Sequence, residues 1–115
     1  MPRYFNRARM TTATTGTGTI TLGSASTGYQ SFAAAGVANG ETVRYVIEDG
    51  VNWEIGSGVY TSTGTTLSRG VISSSNSNNA ITLTGGATVF LTISAEDLNK
   101  IEPAAEMSLL DRGVV

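Results

Sequence analysis

The sequence contains no cysteine and no histidine. Without cysteine the chain forms neither disulfides nor thiolate metal sites. Without histidine it lacks the commonest general base and the commonest ligand of transition metals, so Ser-His and Cys-His nucleophile arrangements are excluded. We therefore expect a protein that is not an enzyme and that holds no cofactor and no metal.

Acidic residues are missing from the first forty positions, and long apolar runs are missing throughout. No stretch reaches the roughly 18 apolar residues of a membrane span or resembles a signal peptide, so we expect no membrane partner and a cytoplasmic start. The net charge of -2 also argues against a nucleic-acid partner.

The charges that are present separate along the chain. The first ten residues carry only arginines, whereas five acids in the last twenty outnumber the bases there; these acids are Glu96, Asp97, Glu102, Glu106 and Asp111. One interpretation is that both ends are simply solvated. The other is that the basic start meets an acidic surface, such as the tail of a neighbouring copy.

Threonine, serine and glycine dominate the middle of the chain, where short runs of β-favouring residues alternate with turn residues. This pattern predicts an all-β fold, a small antiparallel β-sandwich or barrel. Strands are predicted at residues 17–22, 41–48, 52–56, 59–62, 65–73, 80–84 and 87–94, with one helical turn after Ser31 that ends at Gly36. The single β domain would span residues 11–94.

The two ends flank this domain. Residues 1–10 are predicted to form an N-terminal docking arm, although a first strand over residues 3–14 is the alternative. Residues 95–115 are predicted to form a short helical or extended C-terminal tail, because Leu98 and Ile101 lie three apart and Pro103 ends the segment. Apolar tail residues need a partner surface, either the domain itself or a neighbour.

Tyrosine, phenylalanine and arginine are enriched where protein interfaces carry their energy. On that ground, and from the apolar tail, we predict a set of partner-docking residues: Arg3, Tyr4, Phe5, Arg7, Arg9, Leu109 and Leu110.

Two further groups have chemical alternatives. Glu48, Asp49 and Glu54 bracket one turn, and acids in such a position usually face water. The functional alternative is that they form a catalytic carboxylate pair or a weak cation site. Trp53 and Tyr60, with the Ser/Asn loop at residues 73–79, are candidate glycan contacts, while the sole tryptophan of a small domain is more often a core anchor. Arg69 is expected to pair with Glu54 across neighbouring strands.

Two segments, Trp-Glu-Ile-Gly at 53–56 and Gly-Thr-Thr-Leu-Ser-Arg at 64–69, resemble a module of tailed-phage virion proteins. Residues 11–23 and 28–45 are similar to the same group, which includes phage-derived gene transfer agents. The module occurs in tail fibres and in small head-decorating or spike-base proteins. The resemblance implies a place in a virion rather than a chemistry.

Together these features predict a homo-oligomeric virion protein, assembled in the bacterial host cytoplasm, that binds other virion subunits. It would anchor a spike or fibre on a phage-like particle or decorate its capsid. The alternative is a module that recognises a glycan on the host surface.

Overall fold

A computed structural model describes residues 4–92, whose regular secondary structure is almost entirely β-strand. Nine strands and one short helix follow each other along the chain: β1 Arg9–Thr12, β2 Thr15–Gly16, β3 Ile20–Ala25, α1 Phe32–Ala35, β4 Thr42–Asp49, β5 Asn52–Thr61, β6 Thr66–Leu67, β7 Gly70–Ser74, β8 Leu83–Thr84 and β9 Ala87–Leu91. The prediction of an all-β fold is confirmed.

Six of these strands close into an antiparallel barrel in the order β4-β9-β1-β3-β6-β5, and β4 pairs with β5 to complete the ring. The longest ladder joins β4 to β5, from Thr42 opposite Val59 to Asp49 opposite Asn52. Of the two architectures that the sequence allowed, the chain therefore adopts the barrel.

The barrel interior is filled by side chains that alternate along each strand with solvent-facing ones. Ile20 and Leu22 point inward while Thr21 between them is exposed. In β4 the fully buried side chains are Val43, Tyr45 and Ile47. Alternation of Ile20 and Leu22 with threonines predicts one buried face for β3, and alternation along β4 predicts that its three buried residues share one face; the structure confirms both predictions.

Short elements close the two ends of the barrel. At one end, α1 is capped by the Ser31 hydroxyl and stops at Gly36 in the left-handed conformation, as predicted. It packs Phe32 against Tyr60, with ring centroids 5.9 Å apart. At the other end, the β2–β8 ribbon brings the buried Ile81 and Leu83 over the opening.

The boundaries of several strands differ from the prediction. The two strands expected at residues 52–56 and 59–62 form the single strand β5, because glycines at 56 and 58 continue the strand instead of turning it. The strand expected at residues 65–73 is split between β6 and β7, which pair with different parts of β5.

The predicted arm at residues 1–10 does not separate cleanly from the barrel. Ala8 and Met10 are buried in the core, and Arg9 belongs to β1, which pairs with both β3 and β9. The barrel therefore begins at residue 8. The predicted tail at 95–115 lies outside the described residues.

Candidate functional site

The most elaborate polar site is a buried cluster of Tyr45, Glu54 and Arg69 inside the barrel wall. Glu54 is 0% exposed, although acids at this turn were expected to face water. The inward positions of β5 are Glu54, Gly56, Gly58 and Tyr60, whereas Trp53 and Ile55 point outward. Hydrophobicity alone would place Trp53 and Ile55 on the inner face of β5, but the inner face carries a charged residue and two glycines instead.

Arg69 and Glu54 form the ion pair that the sequence predicted. The Nε and Nη2 groups of Arg69 donate to the two carboxylate oxygens of Glu54 at 3.0 and 2.6 Å. This two-pronged geometry matches the planar guanidinium fork to the carboxylate. Both side chains are almost completely buried.

The remaining donors and acceptors of the pair are also engaged. Arg69 donates further to the carbonyl oxygens of Gly16, Gly18 and Ile81. Glu54 accepts from the Tyr45 hydroxyl at 2.7 Å and from the Ile81 backbone N–H at 3.0 Å. The cluster thus connects β4, β5 and two loops, and its function in the fold is to fasten those loops to the barrel.

The cluster shifts the ionisation of both acidic members. Burial alone would raise the pKa of Glu54, but hydrogen bonds from Arg69, Tyr45 and Ile81 outweigh burial and hold that pKa below its ordinary value. Burial and the hydrogen bond to Glu54 raise the pKa of Tyr45 well above its ordinary value. Glu54 is therefore held as a carboxylate and Tyr45 as a neutral phenol, and the Tyr45 hydroxyl donates to the Glu54 carboxylate.

The other two acids of the turn have separate partners. Asp49 accepts from the Thr84 N–H and hydroxyl at 2.7 and 2.9 Å, while Glu48 lies 3.5 Å from Arg9 on the outer surface. The three carboxylates do not converge on one cleft. Within residues 4–92 no three His, Cys, Asp or Glu side chains are grouped so that they could hold a metal ion.

A second site is a surface group of arginine and tyrosine side chains, here called the basic–aromatic patch: Arg7, Arg9 and Tyr29. The Arg7 guanidinium lies 4.0 Å above the centre of the Tyr29 ring, and that of Arg9 lies 5.5 Å from it. Such stacking holds the cations in place at little further entropic cost. Arg7 also donates to the Gly28 carbonyl at 2.8 Å, with its backbone in the left-handed region at φ 56°.

The predicted docking residues thus lie in different parts of the structure. Arg7 and Arg9 share the patch, and Tyr29, which the sequence analysis missed, lies at its centre. Tyr4 is exposed at the surface. Tyr29 is 20 or more positions distant from Arg7 and Arg9, so no local spacing could have revealed it. Phe5 packs partly against the core. Arg3, Leu109 and Leu110 lie outside the described residues.

The two candidate glycan contacts are separated as well. Tyr60 is 3% exposed and packs on Phe32 inside the barrel, so it is removed from any surface platform. Trp53 is 40% exposed and is not the core anchor that a lone tryptophan suggested. The Ser/Asn loop does reach it, since Ser75 and Trp53 exchange hydrogen bonds of 3.0 Å.

Two shallow depressions lie on the surface of the described residues. One of about 240 Å³ is lined by Asn52, Ser75, Asn76, Ile81 and Thr82, beside the Trp53 strand. Another of about 400 Å³ is lined by short side chains and glycines of residues 11–13, 23–24 and 85–88. Neither contains an ionisable side chain.

Comparisons with protein-family models, with curated proteins and with solved structures give no match to this chain. In the part that the structure describes, no helix has the length and apolar character to cross a membrane.

Proposed function

We propose that this chain is a non-enzymatic structural protein of a phage-like particle. It would act as an oligomeric base or adaptor that anchors a spike or fibre, or as a subunit that decorates the capsid. The observation that carries this proposal is the basic–aromatic patch, in which Arg7 and Arg9 are stacked on the exposed ring of Tyr29. Ordered arginine and tyrosine side chains are the usual anchors of protein interfaces.

Two further points support the same proposal. The ionisable groups of Glu54 and Arg69 in the interior are hydrogen-bonded to each other, which favours a structural role over a catalytic one. The two sequence segments that resemble a virion module supply the ion pair of that cluster, since Glu54 lies in one and Arg69 in the other.

The patch is tested best by point substitutions, because removing residues 1–10 would also delete the buried Ala8 and Met10. We expect Arg7→Glu combined with Tyr29→Ala to lower incorporation into the native particle more than tenfold, since interface anchors contribute about 2 kcal/mol or more and 1.4 kcal/mol corresponds to a factor of ten. Occupancy would be measured by quantitative mass spectrometry of purified particles.

The matched control is Val51→Ser, which changes a residue that is 93% exposed at the β4–β5 turn. Circular dichroism of both purified variants checks that the barrel is retained. If the Arg7/Tyr29 variant is incorporated as well as the control, the patch is not the docking surface.

Recognition of a host-surface glycan is the second candidate function, and the exposure of Trp53 favours it. The Trp53 backbone is hydrogen-bonded to Ser75, and the shallow depression lined by Asn52, Ser75 and Asn76 offers amide and hydroxyl groups to sugar hydroxyls. Aromatic faces pack well on the apolar faces of sugar rings.

On a glycan array we expect this candidate to give selective retention that is lost with Trp53→Ala. The control Val59→Ala removes an apolar residue of similar exposure on the same strand and should leave retention unchanged. Absence of selective retention by the wild-type protein would eliminate the glycan function and leave the docking function standing.

A further inference from the structure

The basic–aromatic patch continues along the barrel wall into the larger of the two depressions. Arg9 and Thr11 lie on the outer face of β1, and strand register places them opposite Phe90 and Thr88 of β9. The Arg9 guanidinium lies 5.2 Å from the centre of the Phe90 ring and donates to the Thr88 hydroxyl at 3.1 Å. Thr11 and Thr88 in turn line the depression of about 400 Å³. We call this continuous surface the strip; it comprises Arg7, Arg9, Tyr29 and residues 11–13, 23–24 and 85–88.

The cationic end of the strip is held in a fixed position. The Gln30 N–H donates to the Arg7 carbonyl at 2.8 Å, and the Gln30 carbonyl accepts from the Arg9 N–H at 3.1 Å. Arg7 has a left-handed backbone, which costs free energy in a residue other than glycine. The bonds to Gln30 and Gly28 hold that conformation, and it places the guanidinium over Tyr29. A cation that is already ordered loses little entropy when a partner binds.

The same end carries more positive charge than the neighbouring acids neutralise. Within residues 4–92, Glu48 is the one carboxylate within ion-pair distance of Arg9, at 3.5 Å, and Arg7 has none. Arg7 is exposed and uses one terminal nitrogen on the Gly28 carbonyl, which leaves further donors of its guanidinium for an acceptor. Two guanidinium groups therefore share one carboxylate, and the charge of the site favours a second carboxylate from a partner.

The other end of the strip has neither charge nor large side chains. Its wall is made of short hydroxyl and methyl groups and glycine backbone, and Thr11, Gly23 and Gly86 in it are exposed. A Cβ at Gly23 would meet the Thr11 hydroxyl at 2.9 Å, so the two strands lie close together here and the floor stays flat. An apolar side chain of a partner in this hollow would exclude water next to the charged end, as contacts around interface anchors do.

We propose that the strip binds an extended acidic segment of another virion subunit. One aspartate or glutamate of that segment pairs with Arg7 and Arg9, and an apolar residue two positions away fills the depression. The spacing follows from the wall, because Arg9 and Thr11 are two residues apart on β1 and such residues lie about 7 Å apart in any extended chain. This inference rests on the docking function proposed above and names the chemistry of the partner.

A peptide suits the strip better than an acidic glycan does. The Arg7 guanidinium already lies 4.0 Å above the Tyr29 ring, which leaves less of the aromatic face for stacking on a sugar. The strip also has one charged and one uncharged end, whereas a polymer of acidic sugars presents carboxylates at regular intervals along its length.

The test measures binding of the purified full chain to particles assembled without it. Gly86 lines the depression and no atom lies within 4 Å of a Cβ added there, so Gly86→Trp fills the hollow and leaves the barrel intact. We expect the affinity to fall about tenfold or more, because the partner's apolar side chain is excluded. The control Gly18→Trp adds the same side chain at another exposed glycine with open space and should bind like the wild type. Circular dichroism checks the fold of both variants.

The acidic character of the partner is tested by salt. The affinity of the wild type should fall as the salt concentration is raised to about 1 M, where the Debye length is about 3 Å. Arg7→Gln should bind more weakly at low salt and should lose part of this salt dependence. Equal salt dependence in the two proteins would overturn the acidic partner.

The outcomes separate this inference from the function on which it rests. If Arg7→Glu/Tyr29→Ala loses binding but Gly86→Trp does not, the patch docks and the strip is overturned. Undiminished binding by both variants overturns the docking function and the strip together. Digestion of the particles with a protease that cleaves after acidic residues should remove binding. Binding that survives digestion overturns the protein partner, and its loss after periodate oxidation would assign the strip to a glycan.

Discussion

Replacing Glu54 by leucine should lower the free energy of unfolding by about 3–5 kcal/mol, because it leaves the Arg69 guanidinium buried without its counter-charge. The variant also removes the acceptor of the Tyr45 hydroxyl and of the Ile81 N–H, and unsatisfied buried donors add to the cost. Since small domains have about 5–15 kcal/mol of stability in total, this is a large fraction. Urea unfolding followed by circular dichroism measures it.

The chain offers a matched control in its surface ion pair. Glu48 lies 3.5 Å from Arg9, and both side chains are partly exposed, at 50% and 27%. Glu48→Leu should therefore cost only about 0–1 kcal/mol. Equal losses for the two variants would show that the buried cluster does not stabilise the barrel. In the double variant Glu54→Leu/Arg69→Met the loss should be smaller than the sum of the single losses, because both charges are removed together.

The same experiment has a pH dependence of defined sign. The pKa of Glu54 lies below its ordinary value of 4.5 in the folded protein, so the unfolded chain binds the proton first as the pH falls. The stabilisation from Glu54 is complete above that ordinary value and is lost as the pH falls toward the folded pKa. A Glu54→Gln variant has no proton to bind at this position and should show a weaker decline of stability in acid.

Introducing a methyl group at Gly56 should lower the free energy of unfolding by about 3 kcal/mol, at the upper end for overpacked cores. A Cβ at this position would meet the Tyr45 hydroxyl and the Gly70 carbonyl oxygen. The Tyr45 hydroxyl is held by its hydrogen bond to Glu54, and the Gly70 carbonyl belongs to the backbone, so moving either of them costs free energy. Thermal unfolding of Gly56→Ala checks this expectation.

Gly86→Ala is the control, because no atom lies within 4 Å of the Cβ that it would add and the backbone there is not left-handed. We expect little change in its melting temperature. A Gly56→Ala protein that melts with the control would mean that Tyr45 and β7 have room to shift, and that the cluster tolerates rearrangement.

Much of the local structure follows from neighbouring residues and was predicted on that basis. Alternation of Ile20 and Leu22 with threonines defines the inner face of β3, and Ser31 with Gly36 defines the bounds of α1. The Asp49–Gly50 turn joins the two strands predicted around it. These features depend on a few consecutive side chains and on backbone conformation, which a sequence displays directly.

The inward face of β5 could not be assigned in the same way. Burial of Glu54 is stable only because Arg69, Tyr45 and the Ile81 N–H donate to it. Arg69 is held in turn by backbone carbonyl groups that lie up to 38 residues from Glu54 in the sequence. The proposed pairing of Glu54 with Arg69 was correct, but the burial that makes it strong depends on barrel closure. Trp53 was displaced to the surface for the same reason.

The sequence by itself determined the all-β class, the Asp49–Gly50 turn, the cap of α1 and the absence of cysteine and histidine chemistry, because each depends on residue type or on adjacent residues. Only the tertiary structure decided that the sheet closes into a barrel, that Glu54 lies inside and Trp53 outside, and that Tyr29 stacks with Arg7 and Arg9. Those outcomes depend on how strands that are distant in sequence pack around one small interior. In that interior a buried charge is stable only with its hydrogen-bond partners, and a large side chain for which there is no space lies on the outer surface.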